Sequence, residues 1–170
     1  STNASSGPVL KSPESMQTRV IRVQPISSFR GLSRLSFLPS VAGRETTIKF
    51  RFLPGMNISR GAAVNLFLAG FSGFPFNVSN LISEPGKIFS HAVWDGVGRL
   101  EVTTRIKIHR NTPITVWIPK SSGLKLPLAG IRTNRKLMVS IVDAAAPMMA
   151  TKIDVVSPVP MRASVWNKAM

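Results

Sequence analysis

The chain has 170 residues, of which 44% are hydrophobic and 17% are charged, so it can bury a core and is too apolar for a disordered chain. Its 22 Lys and Arg against 7 Asp and Glu give a formal net charge of +15, which favours an anionic partner. Cysteine is absent from the sequence, which excludes disulfides, thiolate metal sites and cysteine nucleophiles.

The first 17 residues are rich in Ser, Pro and Gly and have no sustained hydrophobic period, so we expect residues 1–17 to form an extended arm. The chain begins at Ser1 without a charged and then apolar leader, and we expect that any targeting peptide has been removed or lies outside it. The most apolar stretch, residues 61–76, is interrupted by Asn65, Ser72 and Pro75 and is too short to span a bilayer.

From residue 18 onward, apolar and polar residues alternate and Gly or Pro interrupts at short intervals, a pattern typical of β-strands. The predicted strands are residues 18–24, 46–53, 62–69, 88–94, 99–108, 114–118, 136–142 and 151–156. Asp95 and Gly96 between two of them predict a hairpin turn. We therefore predict an all-β fold, a single antiparallel β-sandwich of seven or eight strands over residues 18–157.

The same alternation predicts which side chains are buried. The predicted core consists of Ile48, Phe50, Phe52, Val64, Leu66, Leu68, Leu100, Val102, Ile106, Ile108, Val116, Val139 and Ile141. After the last strand, residues 158–170 lose the pattern at Pro158 and Pro160 and then carry Val165 and Trp166. We interpret this segment as a docking tail whose tryptophan either folds back onto the domain or inserts into a partner.

The positive charge is concentrated in two segments, since residues 1–60 carry nine basic and two acidic residues and residues 99–136 carry nine and one. If the strands at 46–53 and 99–108 share a sheet, their outward cations form one basic face. The predicted partner-binding residues are Lys49, Arg51, Arg99, Arg105, Lys107, Arg110, Arg132, Arg135, Lys136 and Trp166.

Three kinds of anionic partner fit these residues. An acidic protein surface of a larger complex and an anionic lipid or membrane face need only charge and shape. Nucleic acid is the second choice, because the sequence has no Tyr and its Phe residues lie within apolar runs and not beside cations as stacking platforms.

The sequence offers little for catalysis. Ser90, His91 and Asp95 lie close together, but Asp95-Gly96 is needed as a turn and no nucleophile-elbow motif accompanies them. Two histidines and seven scattered acidic residues give no metal-ligand spacing. We predict a non-enzyme with no cofactor, no metal and no small-molecule substrate. Asn3, Asn57 and Asn77 would be glycosylation acceptors if the chain were secreted.

A series of short phrases between residues 47 and 155 carries a family resemblance. They include LPGMNISRG at 53–61, AVWD at 92–95, LEVT at 100–103, HRNTPITVWIP at 109–119 and GLKLPLAGI at 123–131. In these phrases the chain resembles a β-rich domain that recurs, often in tandem, in large proteins of dinoflagellates, haptophytes and related algae. The resemblance implies an extracellular-type β-sandwich without a known activity and transfers no functional residue.

The chain departs from that family in being a single copy and in its strong positive charge. This departure favours a domain recruited as a non-catalytic structural subunit of a larger assembly, such as a photosystem supercomplex in an algal plastid membrane. The alternative is a module that binds an anionic polymer, either RNA in an organellar ribosome or acidic glycan outside the cell. A plastid location is favoured, with an extracellular one as the alternative.

Overall fold

The computed structural model describes residues 28–161, which fold into eleven β-strands and one short 3-10 turn, Lys120–Ser122. The first six strands in chain order are β1 Arg34–Leu38, β2 Thr47–Phe52, β3 Ala63–Phe67, β4 Phe76–Ser79, β5 Ile82–Glu84 and β6 Phe89–Trp94. The remaining five are β7 Arg99–Thr104, β8 Ile114–Ile118, β9 Met138–Val142, β10 Met148–Lys152 and β11 Val155–Val156. The described part of the protein is therefore all-β, as predicted.

The strands form two sheets. The larger has six strands in the order β10-β9-β3-β7-β6-β4, and the smaller has five in the order β11-β1-β2-β8-β5. Neighbouring strands are antiparallel except for β11, which runs parallel to β1. The predicted hairpin at Asp95 and Gly96 joins β6 to β7, which pair Trp94 with Leu100.

Both edge strands of the larger sheet lead directly into edge strands of the smaller one. Asn80 and Leu81 connect β4 to β5, and Ile153 and Asp154 connect β10 to β11. At the second connection the backbone N–H of Ile153 donates to the carbonyl of Leu137, 2.8 Å away, and Ile153 is buried. These two-residue bends join the sheets at both edges.

One hydrophobic cluster contains the inward side chains of both sheets. From the smaller sheet, Phe50 and Phe52 are 1% exposed and stack with ring centroids 5.2 Å apart. From the larger sheet come Leu66 and Trp94, with exposures of 1% and 0%. Burial of these side chains is the main force that holds the sheets together.

The predicted number of strands was too low. We expected seven or eight strands, but eleven are present within residues 28–161, because β1, β4 and β5 had not been predicted and the expected strand at 151–156 is divided between β10 and β11. The expected strand at residues 18–24 lies outside the described residues. Short strands of three to five residues offer too few alternations to be recognised.

The predicted core is buried except for Ile106, which is 47% exposed. The alternation continued to residue 108, but β7 ends at Thr104, and residues 105 and 106 form a bend. The next β-bridge after β7 is at Ile108, whose backbone exchanges two hydrogen bonds of 2.8 Å with the backbone of Ile58. The side chain of Ile108 is buried. The bend therefore breaks the alternation of inward and outward side chains between Thr104 and Ile108.

The two predicted arms lie mostly outside the described residues. Residues 1–27 and 162–170, which include Trp166, are not part of the structural description. Within the predicted tail, Val159 is 2% exposed and exchanges two backbone hydrogen bonds with Ile131, at 2.7 and 2.8 Å.

Candidate binding surfaces

The predicted basic residues belong to four different parts of the structure and do not form one basic face. Lys49 and Arg51 lie on β2 in the smaller sheet, whereas Arg99 lies on β7 in the larger sheet. Arg105 and Lys107 follow the end of β7 and lie in the β7–β8 connection. The expectation of a single face depended on β2 and β7 sharing a sheet, and it was wrong because alternation within a strand does not reveal its sheet.

The outward face of the smaller sheet combines cations with a tryptophan. Arg51 is paired with Arg34 across β1 and β2, and Lys49 is paired with Trp117 across β2 and β8. The ammonium of Lys49 lies 5.7 Å from the centroid of the Trp117 ring, within cation–π range. We call Arg34, Lys49, Arg51 and Trp117 the Trp117 face.

A cavity of about 340 Å³ opens beside Trp117. Its lining includes Ile82, which is 70% exposed and paired with Trp117 across β5 and β8. Thr47 and Asn80 add polar groups to the same lining. Trp117 was absent from the predicted site, although the alternation that puts Val116 inward also puts Trp117 outward.

A second basic surface is formed by loops. The β2–β3 and β7–β8 connections pair through Ile58 and Ile108, and the backbone N–H of Asn111 donates to the carbonyl of Pro54 at 2.8 Å. Arg105 donates its backbone N–H to Ile88 at 2.7 Å, and Arg30 donates to Leu53 at 2.7 Å. We call the exposed cations on these connected segments the basic end: Arg30, Arg60, Lys87, Arg105, Lys107 and Arg110.

Segments 28–33, 53–62, 85–88 and 105–113, which carry the basic end, contain no Asp or Glu. Two acidic side chains from elsewhere in the chain accept hydrogen bonds from backbone N–H groups of these segments. Asp143 is buried and accepts from Ser59 at 2.7 Å, and Asp154 accepts from Ser33 at 2.8 Å. Burial by itself would raise the pKa of Asp143, but hydrogen bonds from the N–H groups of Ser59 and Ala145 hold it below its ordinary value.

The third group, Arg132, Arg135 and Lys136, precedes β9. The guanidinium of Arg135 donates to the carbonyl of Ala69, so this side chain ties the segment to the β3–β4 connection. Arg132 and Arg135 also line an open cavity of about 870 Å³ next to Pro158 and Val159. Arg132 and Lys136 are exposed and Arg135 is half-buried.

Ser90, His91 and Asp95 make contacts that support the local backbone structure. A β-bulge at Ser90 brings its hydroxyl to 2.8 Å from Nδ1 of His91. Oδ1 of Asp95 accepts hydrogen bonds from the backbone N–H groups of Val97, Gly98 and Arg99 in the hairpin turn. The hydrogen bond from the backbone N–H of Arg99, together with those from Val97 and Gly98, holds the pKa of Asp95 below its ordinary value. Asp95 thus serves the turn, as its sequence context predicted.

No family model matches this chain, and comparison with curated proteins and with solved structures also finds no match. Within residues 28–161, no cluster of three or more His, Asp or Glu side chains has a geometry suited to a metal ion. The same part of the chain contains no helix with the length and apolar character needed to cross a bilayer.

Proposed function

We propose that this protein is a non-catalytic structural subunit that binds an acidic protein surface of a larger assembly through its basic end. The observation that carries the proposal is the set of six exposed cations on segments without a single Asp or Glu. A surface that only needs to be solvated normally mixes both signs of charge. A surface of one sign attracts an oppositely charged partner and orients its approach.

The backbone under the basic end supports the same proposal. Its loops are fixed by reciprocal hydrogen bonds between Ile58 and Ile108, and Asn57 accepts a bond from the backbone N–H of Arg110 at 2.9 Å. Cations on loops that are already ordered lose less conformational freedom on binding than cations on flexible loops. The basic end can therefore act as a preformed docking surface.

The two sheets, packed as an antiparallel β-sandwich, would serve as the rigid support for this surface. The predicted arms, residues 1–17 and 158–170, would add contacts that slow dissociation. The departure from the resembled family, a single and strongly basic copy, favours an algal plastid membrane complex, such as a photosystem supercomplex, as the assembly. In this proposal the protein binds no cofactor and no small-molecule substrate.

The proposal is tested by purifying the native particle and measuring how the isolated protein rebinds to it. Charge reversal at Arg105→Glu and Lys107→Glu should slow association about tenfold and reduce its dependence on salt. The matched control is Lys120→Glu with Lys152→Glu, which changes the net charge equally at exposed positions away from the basic end. Equal effects of the two double variants, or no particle that co-purifies, would contradict the proposal.

A second candidate function, binding of an anionic polymer, is favoured by the Trp117 face. Its cations could neutralise phosphate, sulfate or carboxylate groups while the Trp117 ring stacks on a base or a sugar. The polymer would be RNA of an organellar ribosome or an acidic glycan outside the cell.

Salt titration separates the two candidates. Polymer binding should weaken steeply with salt, and Lys49→Gln should reduce the slope of log K against log salt by about 1. If single-stranded RNA and acidic glycan both fail to bind at low salt, the polymer function is wrong. That result leaves the subunit proposal standing, because it is tested by how the basic-end variants rebind to the native particle.

A further inference from the structure

The end of the larger sheet away from the basic end carries two exposed apolar side chains. Phe74 precedes β4 and is 91% exposed, and Val97 lies in the β6–β7 turn and is 83% exposed. From these side chains and their basic surroundings, we propose that this end inserts Phe74 and Val97 into the interface of a bilayer that contains anionic lipids. We call these two residues the apolar tips.

The turns that carry the apolar tips lie against each other and are held by defined contacts. A Cβ on Gly96 would lie 2.9 Å from Cγ of Pro75, so the two turns touch directly beside both tips. Nε1 of Trp94, a buried residue, donates to the carbonyl of Gly73 at 3.1 Å. The carboxylate of Asp95 fixes the other turn. Phe74 and Val97 are therefore presented on neighbouring, ordered turns and do not pack into the core.

Cations flank the tips. Arg99 follows the Val97 turn and is exposed. Lys125 is exposed and its backbone exchanges two hydrogen bonds with Ser72, two residues before Phe74. Arg135 bonds the same β3–β4 connection at Ala69. The nearby acidic side chains are Asp95, whose carboxylate accepts three turn N–H groups, and Glu45, whose backbone forms a β-bridge with that of Lys125. Three cations against two carboxylates leave the surroundings with an excess of one positive charge.

This combination fits a lipid surface. Apolar side chains on ordered turns can enter the boundary between headgroups and acyl chains, and flanking Lys and Arg gain from the negative potential of anionic lipids. Phe74 and Val97 are two exposed side chains on neighbouring turns, a smaller apolar area than the contiguous patch that marks a protein interface. A bilayer accepts such projections without a matching pocket.

The apolar tips and the basic end lie at opposite ends of the same strands. β3 runs from the Arg60 loop to the connection that carries Phe74, and β7 runs from the Val97 turn to Arg105. Both surfaces could be occupied at the same time. The lipid inference therefore does not depend on the proposed function.

The test uses the full chain and vesicles of phosphatidylcholine with or without phosphatidylglycerol, separated by sedimentation. We expect binding only when phosphatidylglycerol is present, and a loss of about tenfold or more in affinity for the double variant Phe74→Ala with Val97→Ala. The control is Val142→Ala with Met149→Ala, which removes exposed apolar side chains, 61% and 87% exposed, from β9 and β10. The control should bind like the unaltered protein.

A second measurement locates the inserted residue. The tryptophan introduced by Phe74→Trp should show fluorescence that brominated lipids quench. The tryptophan introduced by Met149→Trp should show fluorescence that brominated lipids leave unchanged. Absence of binding to anionic vesicles overturns the inference, and so does binding that the Phe74 and Val97 substitutions leave unchanged. If the tip variant loses binding to the native assembly while the unaltered protein ignores vesicles, the tips contact protein and the lipid assignment is wrong.

Discussion

The carboxylate of Asp143 accepts a hydrogen bond from the backbone N–H of Ser59 at 2.7 Å, although 84 residues separate them in the sequence. The same side chain accepts a second bond from Ala145 at 2.9 Å. The contact joins the loop after β9 to the β2–β3 connection, which carries part of the basic end. A buried acid thus fixes the backbone beneath the loops that carry the exposed cations of the basic end.

This contact predicts a pH dependence of stability. Folding lowers the pKa of Asp143, so its ionised carboxylate adds to the free energy of unfolding. This stabilisation is fully present above the ordinary pKa of about 3.9 and is lost as pH falls through the lower pKa of the folded state. Asp143→Asn should cost about 1–3 kcal/mol at neutral pH and should flatten the acid limb of the stability curve. Urea unfolding at several pH values measures both, with Glu101→Gln as the control for loss of one negative charge.

Truncation of a buried core side chain should reduce the free energy of unfolding more than the Asp143 substitution does. Phe50 is 1% exposed and contacts the rings of both Phe29 and Phe52. Phe50→Ala should reduce the free energy of unfolding by about 3–5 kcal/mol, because it leaves a cavity between aromatic neighbours. Ile106→Ala is the control, since Ile106 is 47% exposed and its truncation should cost far less. Similar losses for the two variants, measured by denaturant unfolding, would place Phe50 outside a packed core.

Glycine at two positions with positive φ offers a matched comparison. Gly31 has φ +64° and open space around the position of a Cβ, whereas Gly130 has φ +74° and its Cβ would collide with the carbonyl oxygen of Val159. Gly31→Ala should cost only the left-handed strain, about 1–2 kcal/mol. Gly130→Ala should cost about 1–3 kcal/mol more, because the segment around Val159 must move. Thermal unfolding of both variants checks the difference.

Much of the strand pattern could be predicted from local sequence. Residues 47–52 and 99–104 alternate strictly, and their inward side chains, such as Phe50 and Val102, are buried as expected. Alternation is a property of one strand, however, and the choice of sheet depends on partners far along the chain. That is why Lys49 and Arg99 were expected on one face and are found on different sheets.

The candidate surfaces were predictable to different degrees. Arg105, Lys107 and Arg110 stand out in sequence because of their charge, but their association with Arg60 arises from the pairing of Ile58 with Ile108, fifty residues apart in number. The contact of Lys49 with Trp117 likewise depends on the register of β2 and β8. Charge can be counted from a sequence, whereas the grouping of charges depends on long-range hydrogen bonds.

The predicted tail and the basic end should affect different rates of binding to the native assembly. Attraction by the basic end acts while the partners approach, so Arg105→Glu with Lys107→Glu should mainly slow association. A tail contact would act after docking at a high local concentration, so deletion of residues 162–170 should mainly speed dissociation. Surface plasmon resonance on the immobilised assembly measures both rates, and the combined variant should show both defects. An unchanged dissociation rate after the deletion would restrict the interface to residues 1–161.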